Sequence, residues 1–310
     1  MRRGHNSVVF LAGDSSLDNK FWLGQWEDAV NGYEALLRPP RMKADVCYWL
    51  NKFMVDQGVG HMCCLNTAIE ATSLNDRACG CLLEQDRFIR DHITPEDYLI
   101  VSVGGNDVAL APLLCTVVNL LALVWCAPQA CIEHAACACP PNTHVDLGCA
   151  GCGVPGCLVG TLCGWPLGMG YFVDLFCNRV KNYVERVVGN SKPKKVVVCM
   201  IYFLDEQMTG SWADPALCCM CYNCFPSRLQ ATIRTMFKLA TSRIDIPGIE
   251  IVPCPLFEVL DGKRSTDYIQ RVEPSERGGQ KMAAALLDTL LEGHLGSPMG
   301  SGGSSSSSGG

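Results

Sequence analysis

Apolar residues recur along the chain in two distinct patterns. Continuous, β-branched-rich runs at 8–12, 60–69, 97–103, 195–203 and 249–253 predict five strands. The runs do not alternate apolar with polar, so these strands should be buried on both faces. Between them, apolar positions at helical spacing predict helices over 43–57, 75–92, 172–188, 226–243 and 276–291, the second opened by an Asn cap at Asn75. Strands separated by helices imply an α/β protein with a parallel sheet wound on both sides.

One segment breaks the alternation. Residues 108–173 carry only two formal charges, Glu133 and Asp146. Its first part, 113–127, is apolar apart from Thr116 and Asn119 and is bracketed by Pro112 and Pro128. That predicts one buried helix, too short to cross a bilayer, which needs about 20 apolar residues. From 137 to 170 the composition turns to Gly, Pro and Cys, which argues against helix or strand. The chain therefore divides into a domain over 5–293, interrupted by a Cys/Gly/Pro-rich insertion at about 111–170, and a Gly/Ser stretch at 296–310 expected to be a flexible tail. There is no internal repeat.

Composition narrows the class. With 310 residues and 48% hydrophobic content the chain can bury a large core without a disulfide or metal. The net charge of −6 argues against a nucleic-acid partner, which needs a basic surface. The start runs from Met1-Arg2-Arg3 into a short apolar stretch ended by Asp14, with neither the length nor the cleavage site of a secretory signal. The expectation is a cytoplasmic protein with cysteines present as thiols or metal ligands. Nine of the 21 cysteines fall between Cys115 and Cys163 and four between Cys218 and Cys224. The isolated Cys47, Cys199 and Cys254 read as small apolar core residues.

Two motifs carry candidate chemistry. The first strand ends in Gly13-Asp14-Ser15-Ser16-Leu17, and the third in Gly104-Gly105-Asn106-Asp107. In a doubly wound sheet both lie at the carboxyl edge, where ligands bind. A serine on a tight turn exposes its hydroxyl and aims its own N–H at a developing oxyanion, and a neighbouring Asn amide supplies a second donor. Gly105 and its neighbour let the backbone approach a substrate closely.

On these residues the sequence resembles the SGNH, or GDSL, hydrolase family, over roughly residues 5–293. The resemblance implies a flavodoxin-like αβα sandwich and ester hydrolysis through an acyl-serine. It matches Ser15 to the nucleophile and Asn106 to the oxyanion-hole amide, with Asp14 and Gly105 supporting. Two departures stand out. The family's second block has a Gly after strand two, where this chain reads Asn66-Thr67-Ala68-Ile69-Glu70. Its last block, Asp-x-x-His, has no histidine here. Aligning on Pro274 and the glycines that follow places Glu273 at the histidine position and Gln270 at the acid; aligning on Asp267 places Gln270 at the histidine. Serine needs an adjacent base. Gln270 cannot be one, and Glu273 becomes one only if burial raises its pKa. Among the six histidines, His134 and His144 lie in the insertion, which begins at the catalytic edge. One of them is a candidate to reach Ser15, against the reading that both face solvent or a metal.

Cys149-Ala150-Gly151-Cys152 and Cys221-Tyr222-Asn223-Cys224 are Cys-x-x-Cys pairs. Zinc takes two such pairs in one tetrahedral site, so Cys149, Cys152, Cys221 and Cys224 are candidate zinc ligands if the fold joins them. Disulfide or redox pairing and simple packing are the alternatives. No cofactor is required by the hydrolase chemistry. The expected substrate is an ester, small or lipid-like. An insertion nearly free of charge over the site favours a hydrophobic one and allows membrane-surface contact. The competing reading is a catalytically inactive SGNH-fold binding protein with a cysteine-rich, zinc-holding platform.

Overall fold

A computed structural model describes residues 5–78, 80–109, 114–142 and 159–292. Five parallel strands form the central sheet: β1 (Ser7–Gly13), β2 (Met62–Asn66), β3 (Tyr98–Ser102), β4 (Lys195–Met200) and β5 (Glu250–Pro255). Their spatial order is β2-β1-β3-β4-β5, the flavodoxin-like order. Each matches a predicted run. Both faces are covered: Val8, Phe10 and Ala12 of β1 join one apolar layer, while Val9 and Leu11 join the other. That two-sided burial is why these strands read as continuous apolar runs.

The helices sit on both faces. α1 (Val46–Asp56) starts where Asp45 accepts the Tyr48 N–H at 2.8 Å. It packs with α8 (Glu276–Leu291), which fills its predicted range and is capped by Ser275. α5 (Val180–Val188) and α7 (Pro226–Leu239) cover the opposite face. Cys47, Cys199 and Cys254 are buried in the core as expected, and Cys199 and Cys254 pair across β4 and β5.

Two helix expectations need correction. The helix predicted over 75–92 forms only as α2 (Glu84–His92), preceded by a single tight turn at Asn75–Arg77. Gly80 at φ +76 interrupts it, and Asn75 does not cap it; its Oδ1 accepts from Arg179 at 2.7 Å. The apolar stretch at 113–127 is not a wholly buried helix either. α4 (Leu114–Leu121) continues into a wider turn at Ala122–Cys126 and leaves Leu114, Val118 and Trp125 exposed. The segment thought to lack regular structure contains a short antiparallel pair, Cys137–Ala138 with Gly164–Trp165. The expected tail at 296–310 lies outside the described residues. No helix among the described residues is long and apolar enough to cross a membrane.

The break after Arg77 has a cause. Its guanidinium is fully buried and donates to Asp86 Oδ2 at 2.9 Å, Ser73 O at 3.0 Å, Thr72 Oγ1 at 3.0 Å and Gly13 O at 3.2 Å. Asp86 also accepts from Tyr183 at 2.7 Å. A helix continuing through residue 77 cannot serve all of these acceptors. Removing one partner of a buried, hydrogen-bonded ion pair leaves an uncompensated charge. Asp86→Ala is therefore expected to cost about 3–5 kcal/mol in urea unfolding; a loss below about 1 kcal/mol, the range of exposed pairs, contradicts this role.

Candidate active site

At Gly13 the chain leaves β1 against Ser102 of β3, and a Cβ on Gly13 would collide with the Ser102 carbonyl oxygen. Asp14 N–H donates to that same oxygen at 3.2 Å. Asp14 Oδ1 accepts from the Ser16 N–H at 3.0 Å and the Ser16 hydroxyl at 2.7 Å, and the Ser16 hydroxyl meets that of Ser102 at 2.6 Å. The Asp14 carbonyl accepts from Leu17 and Asp18 N–H, closing the turn. Ser15 stands on this turn, and no described residue accepts its N–H.

The Ser15 hydroxyl donates to Glu273 Oε1 at 3.1 Å. Of the two residues that the registers of the last block place at the histidine position, Glu273 lies beside Ser15 and Gln270 does not. Glu273 begins the second strand of a hairpin, β6 (Tyr268–Ile269) paired with β7 (Glu273–Pro274). Gln270 and Arg271 make the reversal with φ of +52 and +68. Bonds on both sides hold Glu273 in place: Tyr202 OH donates to Val272 O at 2.7 Å, and Asn19 Nδ2 to Pro274 O at 3.0 Å. Arg271, fully buried, donates to Asp205 O at 2.9 Å and Asp214 Oδ1 at 2.7 Å.

Glu273 is only 8% exposed, and its Oε2 has no hydrogen-bond partner among the described residues. Burial pushes its carboxyl up to about 7; the Ser15 bond opposes this, and the nearby Asp14 and Glu70 carboxylates add to it. Burial also lifts Asp14 to about 6, against the pull of its bonds from Ser16.

Asn106, on α3 (Gly105–Ala109), donates through Nδ2 to Thr72 O at 2.8 Å, which leaves its second amide hydrogen. Asp107 accepts the N–H groups of Leu74 and Asn75 at 2.7 and 3.1 Å. It anchors the loop after β2 and is not part of the reacting centre. The second-block backbone is spent: Thr67 N–H goes to Leu11 O, Ala68 to Asn66 Oδ1, Ile69 to Gly13 O and Glu70 to Asp18 Oδ2. Ser15 and Asn106 both line the cleft, and the Ser15 N–H and the second Asn106 amide hydrogen have no acceptor among the described residues. Gly104, at φ +99, has no room for a Cβ beside the Phe176 ring; Gly105 lines the cleft, where a Cβ would meet Ile201 and Asp14 at ordinary distance.

Ser15, Glu273, Asn106, Asp14 and Gly105 all line one cleft; Asp267 and Gln270 do not. Asp267 is buried against Arg277, at 3.3 Å, and Lys281 on α8. The Gln270 side chain accepts the Trp212 N–H at 3.3 Å. Both hold the hairpin. No described histidine lines the cleft: His134 ends a short helix at Gln129–His134, and His144 lies outside the described residues. Cys149 and Cys152 also lie outside them, so the proposed four-cysteine set falls partly outside the described residues. Among the described residues no group of three or more His, Cys, Asp or Glu is placed to hold a metal. Trp125 Nε1 does donate to Cys219 O at 3.1 Å, joining the insertion to the second cysteine cluster. Sequence reasoning missed Arg77, Asn19, Tyr202 and Thr72, whose work is done through contacts distant in the chain.

No family model matches the chain, and no curated protein does. Solved structures of similar fold include a lipase/acylhydrolase from Enterococcus faecalis, 10% identical over 94% of this chain and 99% of that one, with a TM-score of 0.44. An acetylxylan esterase from Geobacillus stearothermophilus is 13% identical over 94% and 96%, TM-score 0.45. An extracellular lipase from Streptomyces rimosus is 10% identical over 91% and 99%, TM-score 0.45. Within this chain, the sheet order and the two motifs at adjoining strand ends make the fold SGNH/GDSL-like.

Burial of Glu273 has a consequence for stability. Its folded pKa, about 7, lies above the ordinary 4.5, so the folded state binds the proton more tightly. Stability is therefore lost as pH rises through 4.5 to about 7, by an amount on the order of 3 kcal/mol. Glu273→Gln should melt higher than wild type at about pH 8, with the gain fading toward about pH 4. A wild type that melts as high or higher at pH 8 contradicts the buried carboxyl.

Proposed function

We propose that the protein is a serine ester hydrolase in which a carboxylate takes the place of the usual imidazole base. The observation that carries this reading is the 3.1 Å bond from Ser15 Oγ to Glu273 Oε1. A carboxylate of ordinary pKa is a poor base for a serine hydroxyl; one lifted to about 7 is matched to neutral pH.

The steps follow from the placement. Ser15 Oγ attacks the ester carbonyl carbon as its proton passes to Glu273. The negative charge that develops on the carbonyl oxygen is met by the Ser15 N–H and the free Asn106 amide hydrogen. The tetrahedral adduct collapses, the alcohol oxygen takes the proton from Glu273, and an acyl-serine remains. Water then attacks the acyl carbon and gives its proton to Glu273. The acid leaves as the proton returns to Ser15. Asp14 holds Ser16 and the turn, and keeps negative charge beside Glu273.

The substrate side of the cleft is apolar, with Val108, Ala109, Ile201 and Leu204 among its walls. That favours a hydrophobic ester. The exposed apolar Leu114, Val118 and Trp125 on the sparsely charged insertion favour one presented at a lipid surface. Two donors rather than three for the oxyanion also suit the alternative, a binding protein without turnover. The test is labelling by a serine-directed phosphonate. Wild type should be labelled at Ser15 and Ser15→Ala not at all; equal labelling of both, or of neither, leaves the binding reading. Asn106→Ala is expected to lower kcat about 10²–10³-fold, and Glu273→Gln about 10²–10⁴-fold. Rates unchanged by either substitution contradict the assigned roles.

A further inference from the structure

Two cysteines face each other at the base of the insertion. The short antiparallel pair sets Cys137 opposite Trp165 and Ala138 opposite Gly164, and the Cys139 N–H extends it by donating to Cys163 O at 3.1 Å. Cys139 and Cys163 therefore stand directly opposite. In such a hydrogen-bonded pair the Cα atoms are about 5.5 Å apart, inside the roughly 4.4–6.8 Å that a disulfide spans. Directly opposite side chains also share one face of the pair. Both positions are held from outside it. Asn178 Nδ2 donates to Pro140 O at 3.4 Å, and the Cys163 N–H to Val159 O at 2.9 Å. The backbone of Gly170 lies so close that a Cβ there would come within 2.8 Å of the Cys163 carbonyl carbon. Both cysteines are free thiols, Cys139 exposed and Cys163 half-buried.

Other neighbouring thiols lack one of these properties. Cys199 and Cys254 are opposite across β4 and β5 but only 4% and 3% exposed, out of reach of a dissolved oxidant. Cys221 and Cys224 belong to one turn, closed by the Cys224 N–H on Cys221 O at 3.2 Å, so a bridge there fastens nothing further.

We propose that Cys139 and Cys163 form a reversible disulfide, made by exchange with a small-molecule disulfide such as oxidised glutathione, that staples the insertion at its base. The Cys139 thiolate attacks one sulfur of glutathione disulfide, forming a mixed disulfide and releasing one glutathione thiolate. The Cys163 thiolate then attacks Cys139 Sγ, the protein bridge forms, and the second glutathione leaves. Two electrons pass from the cysteines to glutathione disulfide, and the two thiol protons end on the released glutathione. Excess reduced glutathione runs the sequence backwards. The bridge joins two arms with separate anchors. Before Cys139, Ile132 O accepts from Thr235 of α7 at 3.1 Å; after Cys163, the Tyr171 hydroxyl meets that of Thr116 on α4 at 2.5 Å. Closing the chain over 139–163 also restricts the unfolded state. Neither consequence depends on the hydrolase reading.

The experiment incubates the full-length protein with excess oxidised or reduced glutathione, quenches it in acid and alkylates the remaining thiols. Cleavage before Asp146 separates the two cysteines for mass spectrometry. Cys139 is expected linked to Cys163 in the oxidised sample, with the link lost in dithiothreitol. The oxidised protein should melt about 4–8 °C above the reduced one. Cys163→Ser treated alike should stop at a glutathione adduct on Cys139 and show no such rise, while Cys137→Ser should still bridge. A different partner for either cysteine, both thiols still alkylated in excess oxidised glutathione, or a rise in melting no larger than in Cys163→Ser overturns the staple.

Discussion

The buried guanidinium of Arg77 is the point on which the geometry of the site depends. It ties Gly13 at the end of β1 to Thr72 and Ser73 in the loop after β2, and is itself balanced by Asp86 and Tyr183. Ser15 is two residues beyond Gly13, and Thr72 O is the acceptor that orients the Asn106 amide. The proposed nucleophile and oxyanion donor are thus referenced to one cation. A buried arginine keeps its charge at any physiological pH and presents donors in a fixed fork, which suits it to hold several backbone carbonyls at once. Asp107 reinforces the same loop through Leu74 and Asn75, so the third-block motif supplies both a donor for chemistry and an anchor for its neighbour.

Glu273, the proposed base, is positioned from the other side of the cleft and by different means. Tyr202 and Asn19 fix the residues flanking Glu273, and Arg271 holds the turn that precedes it. What results is a carboxyl with one oxygen on Ser15 and the other without a partner, in a cleft whose far walls are apolar. The desolvation that weakens the fold at alkaline pH is the same effect that lifts the carboxyl into the range of a useful base. Stability and reactivity are opposed at this residue, as is common where a strained or desolvated group does chemistry.

Much of this was legible in the sequence, for physical reasons that differ by residue. The five strands announce themselves because both faces of the sheet are covered, so no polar alternation interrupts them. Ser15 and Asn106 are marked by glycines that the chain cannot replace: Gly13 for its approach to Ser102, Gly104 for its backbone angle and the Phe176 ring. For Glu273 the sequence left two registers open, one of them resting on Pro274 and the glycines of α8, where Gly278 admits no Cβ against the Asp267 carbonyl. Arg77 was not legible, since an arginine in a charged stretch reads as a solvated helix face; only the fold turns it inward and breaks that helix. Asn19, Tyr202 and Thr72 escaped for the same reason, because each acts on a segment far away in the chain. Asp267, on which the other register was aligned, lies against Arg277 and Lys281 instead of lining the cleft.

The central claim is that Glu273 is the base, and its ionisation can be followed directly. A ¹³C-glutamate NMR titration of wild type, with the Glu273 resonance assigned by its loss in Glu273→Gln, gives the midpoint of that one carboxyl. A base at Glu273 gives a midpoint at about 7 and a kcat/KM that rises with pH through the same value. A midpoint below about 5, in the ordinary carboxylate range, or a rate that does not follow the titration, contradicts it.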